Sequence, residues 1–153
     1  MASTALERLE ETGLKLPAVP PVGGAYVHTK QVGDMLYVSG QVAMGSDGLI
    51  ATGKVGGEVD FDTAFRCAQQ CALNLLAQIQ DAAGDLDTVK QVIKLTVFVA
   101  AVPDYIEPQK VANGASELIN QVLGDVGAHC RSAFGVAVLP LDSPVEVEAI
   151  VQV

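Results

Sequence analysis

No apolar stretch in the 153 residues approaches the ~18 uninterrupted positions that a membrane-spanning helix needs, because Gly, Pro or a charged residue breaks every candidate run. Basic residues are also scarce. Nine Lys and Arg, of which only Arg8, Arg66 and Arg131 are arginine, stand against 18 Asp and Glu, and the formal charge of −9 opposes approach to nucleic acid or an anionic membrane surface. Neither nucleic acid nor membrane is therefore expected as a partner. Cysteine occurs three times, at Cys67, Cys71 and Cys130, an odd number without a C-x-x-C pair, so no disulfide framework is evident. Met1 to Gly13 carries Glu7, Glu10 and Glu11 and lacks a basic segment followed by an apolar one. No secretory signal is read there, and the expected location is the cytoplasm.

Half of the residues are hydrophobic and 18% are charged, a balance that lets one compact domain bury a core and excludes disorder as the main state. A short amphipathic helix is predicted within Met1–Gly13, with Ser3 or Thr4 as cap, Leu6 and Leu9 on one face and Gly13 as stop. Residues 1–16 form an N-terminal helical extension, and 17–153 a single domain. Pro17, Pro20 and Pro21 make an extended connector up to Gly24.

Short β-rich runs, Tyr26–Thr29 and Met35–Ser39, flank a Gly33-Asp34 turn, which predicts a hairpin. A further short strand falls at Leu49–Thr52. Asp60 or Asp62 caps a helix running to about Ala83, where Gly84 ends it, because Ala64, Ala68, Cys71, Ala72, Leu75, Ile79 and Ala82 recur at helical spacing. Val89–Val102 is dense in β-branched residues and reads as a central strand covered on both faces. Pro108 opens a helix of similar length to the first, ending at Gly124. Arg131–Leu139 and Val145–Val153 flank Pro-Leu-Asp-Ser-Pro and read as a terminal antiparallel hairpin. The expected class is α+β, one domain with two helices on one sheet face.

Few residues carry chemistry. Cys67 and Cys71 lie on the apolar stripe of a helix, and His28, His129 and Cys130 sit elsewhere, so no metal-ligand set is read. The Gly-rich stretches lack a phosphate-loop Lys, and Ser39 lacks a G-x-S-x-G elbow. Arg131 stands at the head of a strand of small and apolar residues with no acidic neighbour. Three readings of it stay open: an ion pair with Glu146 or Glu148, an exposed strand end, or a fork for a substrate carboxylate, which the planar five-donor guanidinium suits. Glu146 and Glu148 share one face of the last strand. In a hairpin turning near Asp142, Arg131 lies roughly 23 Å from the turn at the strand rise, so Arg131 and Glu146 do not share a site within one subunit.

Gly24-Ala25-Tyr26, Tyr37-Val38-Ser39-Gly40-Gln41, Val97-Phe98-Val99, Arg131-Ser132, Leu139-Pro140 and Val145-Glu146-Val147-Glu148-Ala149-Ile150 together resemble the Rid (YjgF-like) family, the reactive intermediate deaminases. The resemblance runs from about Pro21 to Val153. It implies a chorismate-mutase-like fold with a mixed sheet, assembled as a homotrimer with sites between subunits. It also implies hydrolysis of a carboxylate-bearing enamine or imine such as 2-aminoacrylate to a 2-oxo acid and ammonia, with no cofactor and no metal.

Carried over by residue, Arg131 matches the arginine that pairs with the substrate carboxylate and Glu146 the acid that positions or activates water. Tyr26, Ser39, Gly40 and Asn113 match cleft-side positions, the Gly40 N–H as a donor to the carboxylate. Ala133 stands where the family archetype has a cysteine. A non-catalytic, carboxylate-binding trimer is the alternative that this replacement supports. Ribonuclease activity is the reading least compatible with the charge.

Overall fold

The computed structural model describes residues 1–153. Helix α1 (Ala5–Glu11) begins at Thr4, whose hydroxyl accepts from the Glu7 N–H while the Glu7 carboxylate accepts from the Thr4 N–H. This reciprocal capping box satisfies two otherwise orphaned donors. The buried face is formed by Ala5 and Leu9, whereas the expected Leu6 is exposed. Both buried residues join the same core as the rest of the chain.

Strands β1 (Thr29–Val32) and β2 (Met35–Val42) pair antiparallel around Gly33 and Asp34. The turn falls where the sequence places it, but the first strand starts three residues later than its β-propensity predicts, because Tyr26 and Val27 instead flank a surface groove. In place of one strand at 49–52, a two-stranded ribbon forms from β3 (Met44–Gly45) and β4 (Gly48–Leu49). Helix α2 (Phe61–Ala83) is capped by Asp60, which accepts from the Thr63 N–H, and stops at Gly84, whose φ of 86° suits glycine alone. Helix α3 (Pro108–Leu123) is shorter, 16 residues against 23, since Gly124 turns the chain into a 3-10 segment, Gly124–Gly127.

The five-stranded sheet has the order β1-β2-β7-β5-β6, with β5 (Gln91–Ala100), β6 (Cys130–Val136) and β7 (Val145–Gln152). Strands β5 and β6 run parallel because α3 carries the chain back to the end where β5 began, and β7 returns antiparallel between β2 and β5. The expected terminal hairpin is therefore not formed. Residues 137–144 cross the end of β5 instead of folding β6 onto β7, and β7 rather than β5 is the central strand. The crossing is pinned by the Lys54–Asp142 ion pair (2.5 Å) and by the Gly53 N–H donating to the Asp142 carbonyl.

Helices α2 and α3 pack on one face of this mixed sheet, and the core lies between them: Val145, Val147, Ala149 and Val151 of β7 alternate inward, as do Leu95, Val97 and Val99 of β5. The other face is open. It carries Tyr37, Thr96, Phe98, Phe134, Glu146, Glu148 and Ile150, none of them buried, so β5 is covered on one face only within a single chain. No helix is long and apolar enough to cross a membrane.

Candidate active site

The residues singled out by sequence fall into two groups on opposite faces of the sheet. The first lies on the open face. Between Val38 and Gln41 the register of β2 against β7 shifts, a bulge that takes Ser39 and Gly40 out of the ladder. There the Glu146 side chain lies against Gly40, and a Cβ at residue 40 would collide with its carboxylate. Burial, and then the Glu148 carboxylate two residues on, push the Glu146 carboxyl above its ordinary value.

The Ser39 hydroxyl donates to the Val27 carbonyl (2.7 Å), and the Ser39 N–H donates to the His28 carbonyl. His28 Nε2 is occupied by the Pro20 carbonyl (2.6 Å). Ser39 is thus a positioned polar group without a base beside it, not an activated nucleophile. An open groove of about 480 Å³ adjoins it, walled by Tyr26, Lys30, Tyr37, Ser39, Glu148 and Ile150.

The second group is built on β6 and α3. Arg131 pairs with the buried Leu95 in the parallel ladder, which sends its side chain to the helix-covered face. Its Nη1 donates to Asn113 Oδ1 (2.9 Å) and Ser116 Oγ (3.1 Å), and its Nη2 donates to the Gln109 carbonyl (3.2 Å). All three acceptors are neutral and come from one face of α3, where positions three and four apart align. No carboxylate pairs with it. The chain's ion pairs are Lys54–Asp142 and Lys110–Glu107, so the structural ion pair with Glu146 or Glu148 that sequence left open does not form. Of the five guanidinium donors, three are used, and Nε–H with one Nη2–H remain for a ligand. Ala133 points to the same face and packs its methyl against the core.

Within one chain the groups stay apart. Phe98 of β5 is level with both Glu146 and Phe134, whereas Arg131 is level with Leu95, three residues along. Three residues of strand rise and two strand spacings put the Cα atoms of Arg131 and Glu146 roughly 14 Å apart. That is shorter than the hairpin reading expected, yet the side chains face opposite ways.

Sequence reasoning missed Gln109, Ser116 and His129. The signal for His129 was present, since it sits two residues before Arg131 and alternation puts both on one face. Cys67 and Cys71 are fully buried in the core, and burial pushes the Cys67 thiol up to about 11 and Cys71 well above its ordinary value. No three His, Cys, Asp or Glu side chains cluster as metal ligands.

The chain is thus a two-layer α+β protein that carries an arginine without a carboxylate partner on the helix-covered face of its sheet and a half-buried glutamate on the open face. The family model described as YjgF/chorismate mutase-like, which also carries an endoribonuclease name, matches residues 6–152, and the chain belongs to this YjgF/Rid family. It is 44% identical over 145 residues to Protein TCP17 of Trypanosoma cruzi, covering 94% of this chain and 91% of that protein. It is 28% identical over 142 residues to a 2-iminobutanoate/2-iminopropanoate deaminase of Dermatophagoides farinae, covering 90% and 93%. The crystal structure of Atu1372 from Agrobacterium tumefaciens, a protein of unknown function, superposes with a TM-score of 0.91 at 46% identity, covering 98% of this chain and 92% of that one.

Proposed function

We propose that this protein is a hydrolytic deaminase of reactive enamines and imines of the 2-aminoacrylate type, yielding a 2-oxo acid and ammonia. The observation that carries the reading is Arg131: a half-buried guanidinium anchored by three neutral acceptors, with no carboxylate of its own and two donors unspent. A small carboxylate supplies the missing anion in a charge-assisted fork. The deaminase relative lends the reaction type.

Glu146 and Arg131 face opposite ways, so a site using both is completed by a second copy of the chain, in a homotrimer with three equivalent clefts. In such a cleft Arg131 of one subunit and the Gly40 N–H of its neighbour hold the carboxylate, with Tyr26, Ser39 and Asn113 at its sides. Water adds through oxygen to C2 of the protonated imine, and one water proton passes to Glu146, leaving a neutral carbinolamine. Glu146 returns that proton to nitrogen, the C2–N bond breaks as the C2=O bond forms, and the hydroxyl proton is taken by the departing ammonia, which leaves as ammonium. Imines are already electrophilic, so orientation and one acid–base group suffice. A cytoplasmic protein acting without metal or cofactor is consistent with this chemistry.

One observation favours a second reading. Ala133 places a core-packed methyl, not a thiol, beside Arg131, which fits a trimer that binds small carboxylates without turning them over. Freshly generated 2-aminoacrylate separates the two. Stoichiometric ammonia and pyruvate formed faster than the spontaneous rate are expected of the deaminase; pyruvate binding without ammonia release sinks it.

A further inference from the structure

Arg131 is held by a chain of hydrogen bonds that extends beyond its immediate acceptors. The 3-10 segment Gly124–Gly127 is pressed onto the end of α3 so closely that a Cβ at Gly127 would lie 2.8 Å from the Ile119 carbonyl. This contact fixes the Gly127 carbonyl, which accepts from His129 Nδ1 at 2.6 Å. A carbonyl cannot donate, so Nδ1 carries the hydrogen and, in the neutral imidazole, Nε2 presents a lone pair. Nε2 lies 2.9 Å from Ser116 Oγ, so it takes the serine hydrogen. The Ser116 oxygen is then left with lone pairs alone, aimed at Arg131 Nη1. Ser116 is buried, and its hydroxyl has no backbone partner of its own.

From this geometry we infer that Ser116 and His129 are positioning residues for Arg131, polarising the serine oxygen as an acceptor and locking the guanidinium so that its free edge meets the substrate carboxylate. The inference rests on the carboxylate-fork reading of Arg131 above. Neither residue touches substrate; both act through Arg131. A serine hydroxyl free to rotate would hold the guanidinium less well, and Asn113 with the Gln109 carbonyl would leave it room to swing.

The test uses the full-length protein with pyruvate as the probe, and measures its Kd, the KM and kcat for 2-aminoacrylate, and the melting temperature on the same samples. Ser116→Ala and His129→Leu are each expected to weaken pyruvate binding about five-fold, the size of one lost orienting hydrogen bond, and to raise KM more than they lower kcat. The double variant should be no weaker than either single one, since both act through one chain of bonds. His129→Gln, which keeps an acceptor near Ser116, should recover most of the affinity. Wild-type affinity in Ser116→Ala and His129→Leu, with only the melting temperature lowered, overturns the positioning role and makes the chain a structural tether.

A wild-type protein that binds no pyruvate and is indifferent to Arg131→Ala overturns the fork itself. Binding lost in Arg131→Ala but intact in the other two variants overturns only this inference. Should His129→Leu fold poorly, ¹⁵N shifts of the wild-type imidazole decide: an Nδ1–H tautomer is expected, and an Nε2–H tautomer refutes the arrangement.

Discussion

Replacing Arg131 with Ala removes the donors proposed to face the ligand and strands three α3 acceptors. Carboxylate affinity is expected to fall by about 2–4 kcal/mol, thirty- to thousand-fold, with a smaller loss of stability near 1 kcal/mol from the hydrogen bonds to α3. Calorimetric titration with pyruvate and thermal melts on the same variant check both numbers. Arg131→Lys should restore only part of the affinity, because an ammonium cannot reproduce the fork while also reaching Asn113 and Gln109. Glu146 makes a prediction of opposite character.

Its carboxyl is raised by burial and by Glu148, so the folded state holds the proton more tightly than the unfolded chain does. That contribution to stability is present below the ordinary glutamate value and is lost as pH rises through the elevated one. Glu146→Gln should therefore melt higher than wild type at pH 7, with the difference shrinking toward pH 4, while the proposed deaminase turnover is expected to drop on the order of a hundred-fold. A lower melting temperature for Glu146→Gln at pH 7 would mean that the carboxylate is stabilised in the fold.

Elements are joined here by a few tight spots. At Gly114, α3 lies close against α2, for a Cβ there would run into the Phe65 carbonyl and the Ala68 methyl. Gly114→Ala is expected to cost about 1–3 kcal/mol through overpacking despite alanine's better helix propensity, read as a lowered urea midpoint. The crossing between β6 and β7 holds Leu141 and Asp142 at φ of 59° and 61°, in the left-handed region that non-glycine residues avoid. Leu141 is exposed, so its side chain contributes little packing. Leu141→Gly should raise stability by roughly 0.5–1 kcal/mol, the relief of strain less glycine's greater chain entropy. The Lys54–Asp142 pair holds the backbone there, so the gain is readable only if Asp142 is kept.

At the scale of the whole molecule, the open sheet face exposes Tyr37 and Phe134 beside half-covered Phe98 and Ile150, apolar surface of the kind that marks association. Light scattering in dilute solution should report three copies. If each cleft takes Arg131 from one subunit and Glu146 from the next, Arg131→Ala and Glu146→Gln proteins are each inactive. Unfolded together in equal amounts and refolded, they should recover about a quarter of wild-type activity, the random fraction of clefts in which both residues are native. Absence of any recovery from mixed trimers would mean that both residues serve the same cleft from one chain, or none.

Local chemistry was legible in the sequence wherever a few neighbouring residues decide the outcome: Thr4 among the expected caps of α1, Asp60 and Gly84 bounding α2, Pro108 opening α3, Gly33-Asp34 turning β1 into β2. The alternation that puts Glu146 and Glu148 on one face of β7 was legible for the same reason. Strand order was not. A turn signal between β6 and β7 says that the chain reverses, not that β5 will lie between them, because the return of α3 over the sheet sets that order. The same long-range pairing decided that Phe98, in a run dense in β-branched residues, faces Phe134 across the open side, with ring centroids 5.2 Å apart. It also decided that Arg131 reaches α3 instead of an acid on β7. Only the tertiary structure brings Gln109, Asn113, Ser116 and His129 around that guanidinium, since their meeting depends on how α3 lies across β6.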